Sequence, residues 1–402
     1  MNLKRYKIFL GDVSLNILSN ILVIGVIQLF IFPILSRSMN VEKFGIIIAL
    51  YGFSNMLVSA LGGSLNNVRL LYNDKVKEKG NFTLILILVL VITIIISFLL
   101  NYIYGIGISL LENNLIILFT LLGTIRVYTS SFFRISLEYK KIIYTNFILI
   151  VGYFLGLLLT LYTNLWSLIF ITGELLSCIY IFKVTPFLKE KPRKTSSFKL
   201  LLNEYRNLSI SDTISTSFNY LDRFLINPIL GSQNLSIYYS VSVISKMISL
   251  IVTPTTNVFL SYLNKFKANN IQRTILITSI VSIIILIPVY VIINYISPYI
   301  IEIVYPKFSE YSEPYIWIVT LASCFLILGS ILNPFLLKFC KLKYQMYIQF
   351  IYGVTYVTSA VLMSYYFGLI GFCISSAVSL FVKWVLMLFV GLKYSNETIN
   401  VN

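Results

Sequence analysis

Seven ionisable residues interrupt the longest apolar runs of the chain, and they are its candidates for chemistry. Four are basic and three are acidic: Arg126, Arg223, Lys246 and Lys383, and Glu174, Asp212 and Asp222. A charged side chain at the centre of a bilayer costs at least about 2.5 kcal/mol unless it faces protein or water, so each residue is a functional hypothesis. Because the bases outnumber the acids, the pattern favours an anionic ligand, which Arg binds through paired hydrogen bonds and Lys as a point charge.

Other polar residues accompany these charges at helical spacing. One face of a predicted helix carries Asp212, Thr216, Asn219 and Arg223. Comparable stripes occur in four further spans: Asn55, Ser59, Gly62, Asn66 and Arg69; Arg126, Thr129, Ser130 and Phe133; Ser242, Lys246, Ser249 and Thr253; and Ser376, Ser379 and Lys383. The stripes either line an aqueous cavity or hold helices together, because small polar residues favour close helix packing in lipid.

Each interior charge has two interpretations. Asp222 pairs with the neighbouring Arg223, or it leaves Arg223 to a ligand. Lys246 and Lys383 line a cavity, or they snorkel or pair with Glu174. The three acids are ion-pair partners of the cations, or they form a proton or sodium site that couples transport.

The composition indicates the class of protein. Of 402 residues, 58% are hydrophobic and only 11% are charged, which leaves too little polar surface for a soluble globule. The chain has no His and four scattered Cys, so His-dependent catalysis, His-ligated metals and a disulfide framework are excluded. We expect an integral membrane protein that is not an enzyme and needs no cofactor. Its +16 charge lies in short connections beside apolar runs, so we expect no nucleic-acid partner.

Twelve apolar runs are long enough to cross about 30 Å of hydrocarbon as helices. They cover residues 13–35, 44–65, 83–103, 115–134, 142–162, 165–183, 207–229, 236–259, 274–297, 314–337, 345–366 and 370–392. With the N-terminus inside, 24 of the 31 Lys and Arg lie in inner segments, four lie within spans, and only Arg37, Lys43 and Lys307 lie outside. The positive-inside rule therefore predicts that both termini face the cytoplasm.

A basic connection at about 184–206 separates two sets of six spans. We expect an N-terminal six-helix bundle over 1–190, followed by this cytoplasmic linker, and a C-terminal six-helix bundle over 200–402. Pro33-Ile34-Leu35 and Asn40 have an echo in Pro228-Ile229-Leu230 and Asn234, which indicates a duplication. An even number of spans per half predicts an all-α fold with a pseudo-two-fold axis along the membrane normal, as in one class of transporters.

Two segments resemble signatures of a known family. The first segment runs from Phe32-Pro33-Ile34-Leu35-Ser36-Arg37 through Glu42-Lys43-Phe44-Gly45, and it is similar to the first hairpin of that family. The second segment is Tyr220-Leu221-Asp222-Arg223-Phe224-Leu225, followed by Leu230-Gly231 and Tyr238-Tyr239, and it is similar to the segment that opens the second half of that family's members. With twelve spans, a basic central loop and short outer loops, the chain resembles the O-antigen and capsule repeat-unit flippases of the multidrug/oligosaccharidyl-lipid/polysaccharide exporter superfamily.

The resemblance implies a MATE-like fold and a flippase of the bacterial cytoplasmic membrane. Its substrate would be an undecaprenyl-pyrophosphate-linked O-antigen or capsule repeat unit, moved from the cytoplasmic to the outer leaflet by alternating access. A polysaccharide polymerase and a chain-length regulator would be its partners, besides membrane lipid. The family's cationic cavity maps by position onto Arg126, Arg223, Lys246 and Lys383, with Arg37 and Arg69 as candidate rim residues.

Other functions remain open at the level of sequence. A drug or ion antiporter of the same superfamily is expected to have a cavity dominated by acids. A lipid-linked sugar polymerase or membrane glycosyltransferase is expected to carry catalytic residues in a large outer loop, whereas the outer connections here are short. A scaffold for polysaccharide enzymes and a peptidoglycan-precursor flippase, which would resemble a longer chain, are the remaining alternatives.

Overall fold

The structure is a computed structural model that describes residues 18–105, 107–263 and 271–394, with their side chains except at 248–263 and 342–343. Every regular element within these ranges is helical. Lys4, Arg5, Lys7 and the start of the predicted first span lie outside the described residues, and so do the side chains of Ser249 and Thr253.

Helices follow the predicted order of spans. The first six are α1 (Leu18–Ser38), α2 (Val41–Tyr72), α3 (Gly80–Tyr104), α4 (Leu110–Ile135), α5 (Tyr139–Thr163) and α6 (Ser167–Val184). They are followed by α7 (Phe198–Asn219), α8 (Leu221–Leu230), α9 (Ser232–Leu263), α10 (Ile271–Val304), α11 (Ile316–Phe339) and α12 (Leu342–Tyr394). Gly368 has a φ of 61° and a ψ of −142°, which Gly adopts readily, and it divides α12 between the two last predicted spans.

Nine helical segments of the described chain are long and apolar enough to cross a membrane: α1 to α6, α10, the stretch Pro306–Phe339 that ends with α11, and Tyr344–Tyr394 of α12. The last of these contains two predicted spans, so ten of the twelve predictions have a counterpart. The remaining two, 207–229 and 236–259, correspond to α7, α8 and α9, which carry the interior charges Asp212, Arg223 and Lys246. The protein is an all-α, multi-pass membrane protein.

Local sequence sets the ends of α4 and α5. Ser109 and Glu112 form a capping box: the Ser109 hydroxyl accepts a hydrogen bond from the Glu112 amide at 3.1 Å, and the Glu112 carboxylate accepts one from the Ser109 amide at 3.3 Å. Within α4, regular helix stops after Thr129 and a short helix, Ser131–Ile135, continues it. α5 ends before Asn164, whose φ of 58° lies in the left-handed region that Asn tolerates at helix ends.

The prediction of one continuous helix over 207–229 is wrong. α7 ends at Asn219, Tyr220 adopts a φ of −117° and a ψ of 10°, and α8 begins at Leu221. The polar stripe that starts at Asp212 therefore ends with α7, and Arg223 stands on a separate helix. Periodicity could not reveal this break, because neither Gly nor Pro marks it.

Residue contacts divide the chain into two compact units. The first unit holds Ser38 and the described residues before it, together with Ile46–Phe224; the second holds Met39–Gly45 and the described residues from Leu225 onward. This division differs from the boundary expected at 184–206, because α7 packs within the first unit. Leu201 and Tyr205 of α7 are buried in one cluster with Leu65, Val68 and Phe82.

The basic linker lies along the first unit through hydrogen bonds. The Thr195 amide donates to Asn81 Oδ1 at 3.0 Å, and Asn81 Nδ2 donates to Thr195 Oγ1 at 2.6 Å. The Arg193 amide donates to the Gly80 carbonyl at 3.2 Å. Because Asn81 is fully buried, these bonds satisfy an amide that would otherwise lack partners. The linker is therefore an ordered part of the first unit.

Glycines bring α5 and α6 into close contact. The backbone of Gly152 lies against Gly173 of the facing helix, and Gly156 lies against Thr172. Thr172 Oγ1 also donates to the Gly152 carbonyl at 2.8 Å. Gly152 and Gly156 form a GxxxG pattern, which lets helix backbones approach closely in lipid. The contact fixes the position of α6, which carries Glu174.

In the second unit, the segment Met39–Gly45 packs against the start of α9. Phe44 is fully buried, and its ring centroid lies 5.6–6.2 Å from those of Tyr239, Tyr305 and Phe308. Ser236 Oγ donates to the Val41 carbonyl at 2.6 Å, and Gly45 lies against the Ser232 carbonyl with no room for a side chain. The two segments that carry the family resemblance thus contact each other.

Gly173→Ala should destabilise the protein, because a Cβ at this position would overlap the ring of Tyr153. Overpacking of this kind costs about 1–3 kcal/mol. We expect a lower midpoint of thermal unfolding in detergent. Gly63→Ala is the matched control, since no atom lies within 4 Å of its Cβ position. Equal loss of stability in both variants would contradict the close contact of α5 and α6.

Candidate functional site

An ion pair joins α4 and α6 in the first unit. Arg126 Nε donates to Glu174 Oε2 at 2.5 Å, and Arg126 Nη2 donates to Glu174 Oε1 at 3.0 Å. The Glu174 side chain is 3% exposed and the Arg126 side chain is 19% exposed. Of the two interpretations of Glu174, the structure shows the ion pair, and its partner is Arg126.

The surroundings of the ion pair are mostly aromatic. Its neighbours include Tyr51, Phe119, Tyr153, Phe170 and Cys178. The rings of Tyr51, Phe119 and Phe170 pack with centroid distances of 4.6–6.0 Å. Removing one partner of a buried ion pair leaves an uncompensated charge, at a cost of about 3–5 kcal/mol. The burial of each of the two residues, Arg126 and Glu174, therefore depends on the presence of the other.

Arg126 reaches from this pair into a polar cavity of about 340 Å³. The charged residues of its wall are Arg126 and Arg134, and the neutral polar ones are Asn20, Ser130, Tyr139, Thr145 and Asn146. Among the described residues, no acid lines the cavity. Small-molecule sites have volumes of about 300–1,000 Å³, so this cavity can hold the polar group of a larger ligand. Its chemistry suits an anion.

Arg134 is the second base of the cavity, and the sequence analysis missed it. Its Nη1 donates to Asn66 Oδ1 at 2.7 Å and to Asn67 Oδ1 at 3.2 Å. Sequence reasoning placed Arg134 in an inner connection, whereas α4 extends to Ile135 and carries the residue into the cavity wall. The pair Asn66-Asn67, directly after the predicted span 44–65, was an available signal, because buried amides require polar partners.

Buried amides hold the walls of the cavity together. Asn66 Nδ2 on α2 donates to the Val127 carbonyl at 2.7 Å and to Ser130 Oγ at 2.8 Å, both on α4. Asn146 Nδ2 on α5 donates to Ser19 Oγ at 3.0 Å and to Asn20 Oδ1 at 3.1 Å, both on α1. Asn146 thus links α5 and α1, which both line the cavity, and Asn66 ties the lining helix α4 to α2.

The other interior charges of the first unit have separate surroundings. Asp212 Oδ2 accepts a hydrogen bond from Ser64 Oγ at 2.6 Å. Asp222 accepts one from the amide of Arg223 at 2.9 Å. The Arg223 guanidinium lies 4.9 Å from the ring centroid of Tyr220 and covers Gly52, where no side chain would fit. These three residues therefore lie outside the wall of the 340 Å³ cavity.

Lys246 and Lys383 lie in the second unit, each over an aromatic ring. Lys246 Nζ is 5.7 Å from the ring centroid of Tyr238, and Lys383 Nζ is 4.6 Å from that of Tyr352. Aromatic faces attract cations electrostatically. The four predicted cavity cations are therefore divided between the units, and Arg126 is the one that the structure joins to a described cavity.

Small hydroxyl side chains hold helical segments of the second unit together. Ser359 Oγ lies 2.7 Å from Ser375 Oγ and 3.3 Å from Ser379 Oγ. Ser245 Oγ of α9 lies 3.2 Å from Thr320 Oγ1 of α11. Ser379 belongs to a predicted stripe, and its contact matches the helix-packing alternative, whereas the other four residues lie outside the predicted stripes.

The two candidate rim residues differ in the structure. Arg37 is exposed in the last turn of α1. The rim position predicted for Arg69 is wrong, because its side chain is only 2% exposed. Its guanidinium donates to both carboxylate oxygens of Glu190, at 2.6 and 2.8 Å, and to the hydroxyl of Tyr128 at 2.6 Å, and it lies 4.0 Å from the ring centroid of Phe132. Arg69 therefore anchors the linker.

Lys79 lies next to this anchor, in the connection between α2 and α3. Burial, and then the positive charge of Arg69, lower the pKa of Lys79. The Lys79 Nζ donates to the Val76 carbonyl at 2.8 Å, so the hydrogen bond joins two residues of the same connection. Glu190 favours the charged form of Lys79, so the linker acid stabilises both bases.

Residues 34–313 match the model of a protein family described as polysaccharide biosynthesis protein. The chain belongs to this family. The matched region runs from α1 to the turns before α11, and it includes both arginines of the cavity and Glu174. A search of curated proteins finds no match to the chain.

Solved membrane transporters share the fold. An inward-facing multidrug resistance MATE family transporter of the MOP superfamily is 11% identical and covers 97% of this chain and 94% of its own, with a TM-score of 0.66. The lipid II flippase MurJ, in an inward closed conformation, is 16% identical and covers 95% and 86%, with a TM-score of 0.67. The eukaryotic MATE transporter AtDTX14 is 15% identical and covers 97% of both chains, with a TM-score of 0.60. The fold is that of an all-α membrane transporter.

Glu190→Ala should lower the stability of the protein markedly. The substitution leaves the buried Arg69 guanidinium without its acidic partner, which costs about 3–5 kcal/mol. The measurement is the midpoint of thermal unfolding in detergent. Glu78→Ala is the control: it removes the partner of the exposed Arg193, at 3.8 Å, and should change the midpoint little. Equal midpoints would show that Arg69 does not anchor the linker.

Proposed function

We propose that the protein is a flippase for lipid-linked oligosaccharide, which moves an undecaprenyl-pyrophosphate-linked O-antigen or capsule repeat unit from the cytoplasmic to the outer leaflet. The observation that carries the proposal is membership of the polysaccharide biosynthesis family in a chain with a transporter fold. Of the solved proteins with this fold, one is a lipid II flippase. Such a transporter would bind the sugar in the form of a lipid-linked repeat unit.

The charges of the first unit support an anionic rather than a cationic substrate. The 340 Å³ cavity is lined by two arginines and, among the described residues, by no acid. Glu174, the acid that a cation antiporter would use here, is buried behind Arg126 and already paired with it. The drug or ion antiporter therefore remains the rival that this arrangement disfavours.

The proposed mechanism assigns binding of the diphosphate to interior cations. Arg126 and Arg134 would hold it in the first unit, and Arg223, Lys246 and Lys383 are further proposed contacts on the transport path. Charged groups that hold a diphosphate replace the hydration that the group loses on leaving water. Alternating access then exposes the bound group first to one leaflet and then to the other, without any covalent step.

The setting of this activity is also part of the proposal. We place the protein in the bacterial cytoplasmic membrane with both termini in the cytoplasm, because 24 of 31 Lys and Arg lie in segments predicted to be inside. A polysaccharide polymerase and a chain-length regulator would act on the exported unit. Proton or sodium coupling would supply the driving force.

Deleting the coding sequence should abolish surface polysaccharide and leave the lipid-linked repeat unit in the cytoplasmic leaflet. Arg126→Ala and Lys246→Ala should each reduce surface polysaccharide at least about tenfold, since a bond to a charged group contributes about 1.5–3 kcal/mol. Polysaccharide is measured by gel and immunoblot, and protein amount by blot of the membrane fraction. Arg193→Ala, in the exposed linker, is the control.

Normal polysaccharide in both the Arg126→Ala and the Lys246→Ala strains, at normal protein amount, would remove these residues from the proposed transport path. Normal polysaccharide in the deletion strain, together with increased sensitivity to cationic drugs, would favour the antiporter.

A further inference from the structure

We propose that Arg126 and Arg134 form a two-point clamp for a diphosphate group, and that Glu174 is a positioning residue that aims Arg126 at it. The identity of the lipid that carries the diphosphate rests on the proposed function. The clamp itself rests on the hydrogen bonds and charges of the cavity in the first unit.

Arg126 is held by one edge of its guanidinium. Glu174 accepts from Nε and from Nη2, and this uses two of the five N–H donors of the side chain. The opposite edge, which consists of Nη1 and the second N–H of Nη2, has no hydrogen-bond partner among the described residues. Arg126 lines the cavity and is 19% exposed, so this edge is where a ligand can meet it.

Arg134 is held in a complementary way. Its Nη1 donates to the side-chain oxygens of Asn66 and Asn67, which leaves the Nε and Nη2 edge without a partner among the described residues. Each arginine thus lines the cavity and keeps one planar edge with two parallel N–H groups that has no partner among the described residues. A pair of phosphate oxygens fits such an edge with two hydrogen bonds, which a Lys ammonium cannot reproduce.

The charge of the wall favours an anion, and its two separate guanidinium edges favour one with two linked acidic groups. Glu174 compensates the charge of Arg126, whereas the amides that hold Arg134 are neutral, so the cavity wall has one uncompensated positive charge. A carboxylate or a chloride can occupy one edge only. A diphosphate diester has two negative charges on two linked phosphates and can occupy both edges at once.

Glu174 acts through Arg126 rather than on the ligand. Its side chain is 3% exposed and is absent from the cavity wall. The contact of Gly173 with Gly152 holds α6 against α5. Because α6 carries Glu174, this contact also fixes the position of the carboxylate that binds the Arg126 guanidinium. Preorganised donors lose less entropy on binding than mobile ones.

The test measures binding of inorganic pyrophosphate to the purified full chain in detergent, by calorimetry. Arg126→Lys and Arg134→Lys keep the charge but lose the planar edge, and each should weaken binding at least about tenfold. Arg193→Lys, in the exposed linker, should bind like the wild type. Wild-type affinity in both cavity variants would overturn the clamp.

A double-variant cycle tests the positioning role of Glu174. Gln keeps the size of Glu but can accept from only one of the two N–H groups of Arg126, so the edge is no longer aimed. In the Glu174→Gln background, Arg126→Lys should weaken binding less than about threefold, whereas Arg134→Lys should still weaken it about tenfold. A full tenfold effect of Arg126→Lys in both backgrounds would overturn the positioning role, whatever the thermal stability of the variants.

A competition experiment distinguishes the sources of the phosphate. Farnesyl diphosphate should displace pyrophosphate, and phosphatidylglycerol at the same concentration should not. Displacement by phosphatidylglycerol would assign the cavity to phospholipid headgroups and overturn the diphosphate clamp. Wild-type pyrophosphate affinity in Arg126→Lys and Arg134→Lys, with surface polysaccharide lost in the deletion strain, would remove the clamp and leave the proposed flippase intact. The expected loss of affinity in both variants, with normal polysaccharide in the deletion strain, would remove the flippase and leave the clamp.

Discussion

A bilayer offers no water to a buried charge, and the arrangement of the first unit depends on this constraint. Arg126 and Glu174 satisfy each other through two hydrogen bonds, and Arg69 and Glu190 do the same at the linker. The two pairs have different consequences. Arg69 is enclosed by its partners and holds the linker in place. Arg126 lines a cavity, and one edge of its guanidinium has no partner among the described residues.

Close backbone contacts make this electrostatic arrangement possible. Gly152 and Gly173 bring α5 and α6 together, and α6 then presents Glu174 to α4. Buried amides make further contacts between elements of the first unit: Asn66 links α2 to α4, and Asn81 links the basic linker to the start of α3. In lipid, where apolar surface provides little drive for helix association, contacts of this kind determine which helices meet.

The two segments that resemble the family's signatures and the residues of the candidate site are different sets. Phe44 and Gly45, in the first signature segment, pack against Ser232 and Tyr239, in or beside the second. These are packing contacts within the second unit. Arg126 and Arg134 lie outside both segments, in a cavity of the first unit. The signature segments therefore take part in packing, whereas the candidate site consists of residues elsewhere in the chain.

By itself, the sequence determined the class of protein and the order of the helices, because apolar runs and their spacing are properties of the chain alone. The polysaccharide family followed from the resemblance of two segments to a known family. It also showed that Glu174 and Arg126 were interior charges, but not that they are partners, since their contact spans 48 positions along the chain. Only the tertiary structure decided that Arg69 is buried, that α7 ends at Asn219 and that Arg134 lines a cavity. The physical reason is that a side chain becomes a ligand contact or an anchor according to what the neighbouring helices leave unpaired, and periodicity cannot encode that.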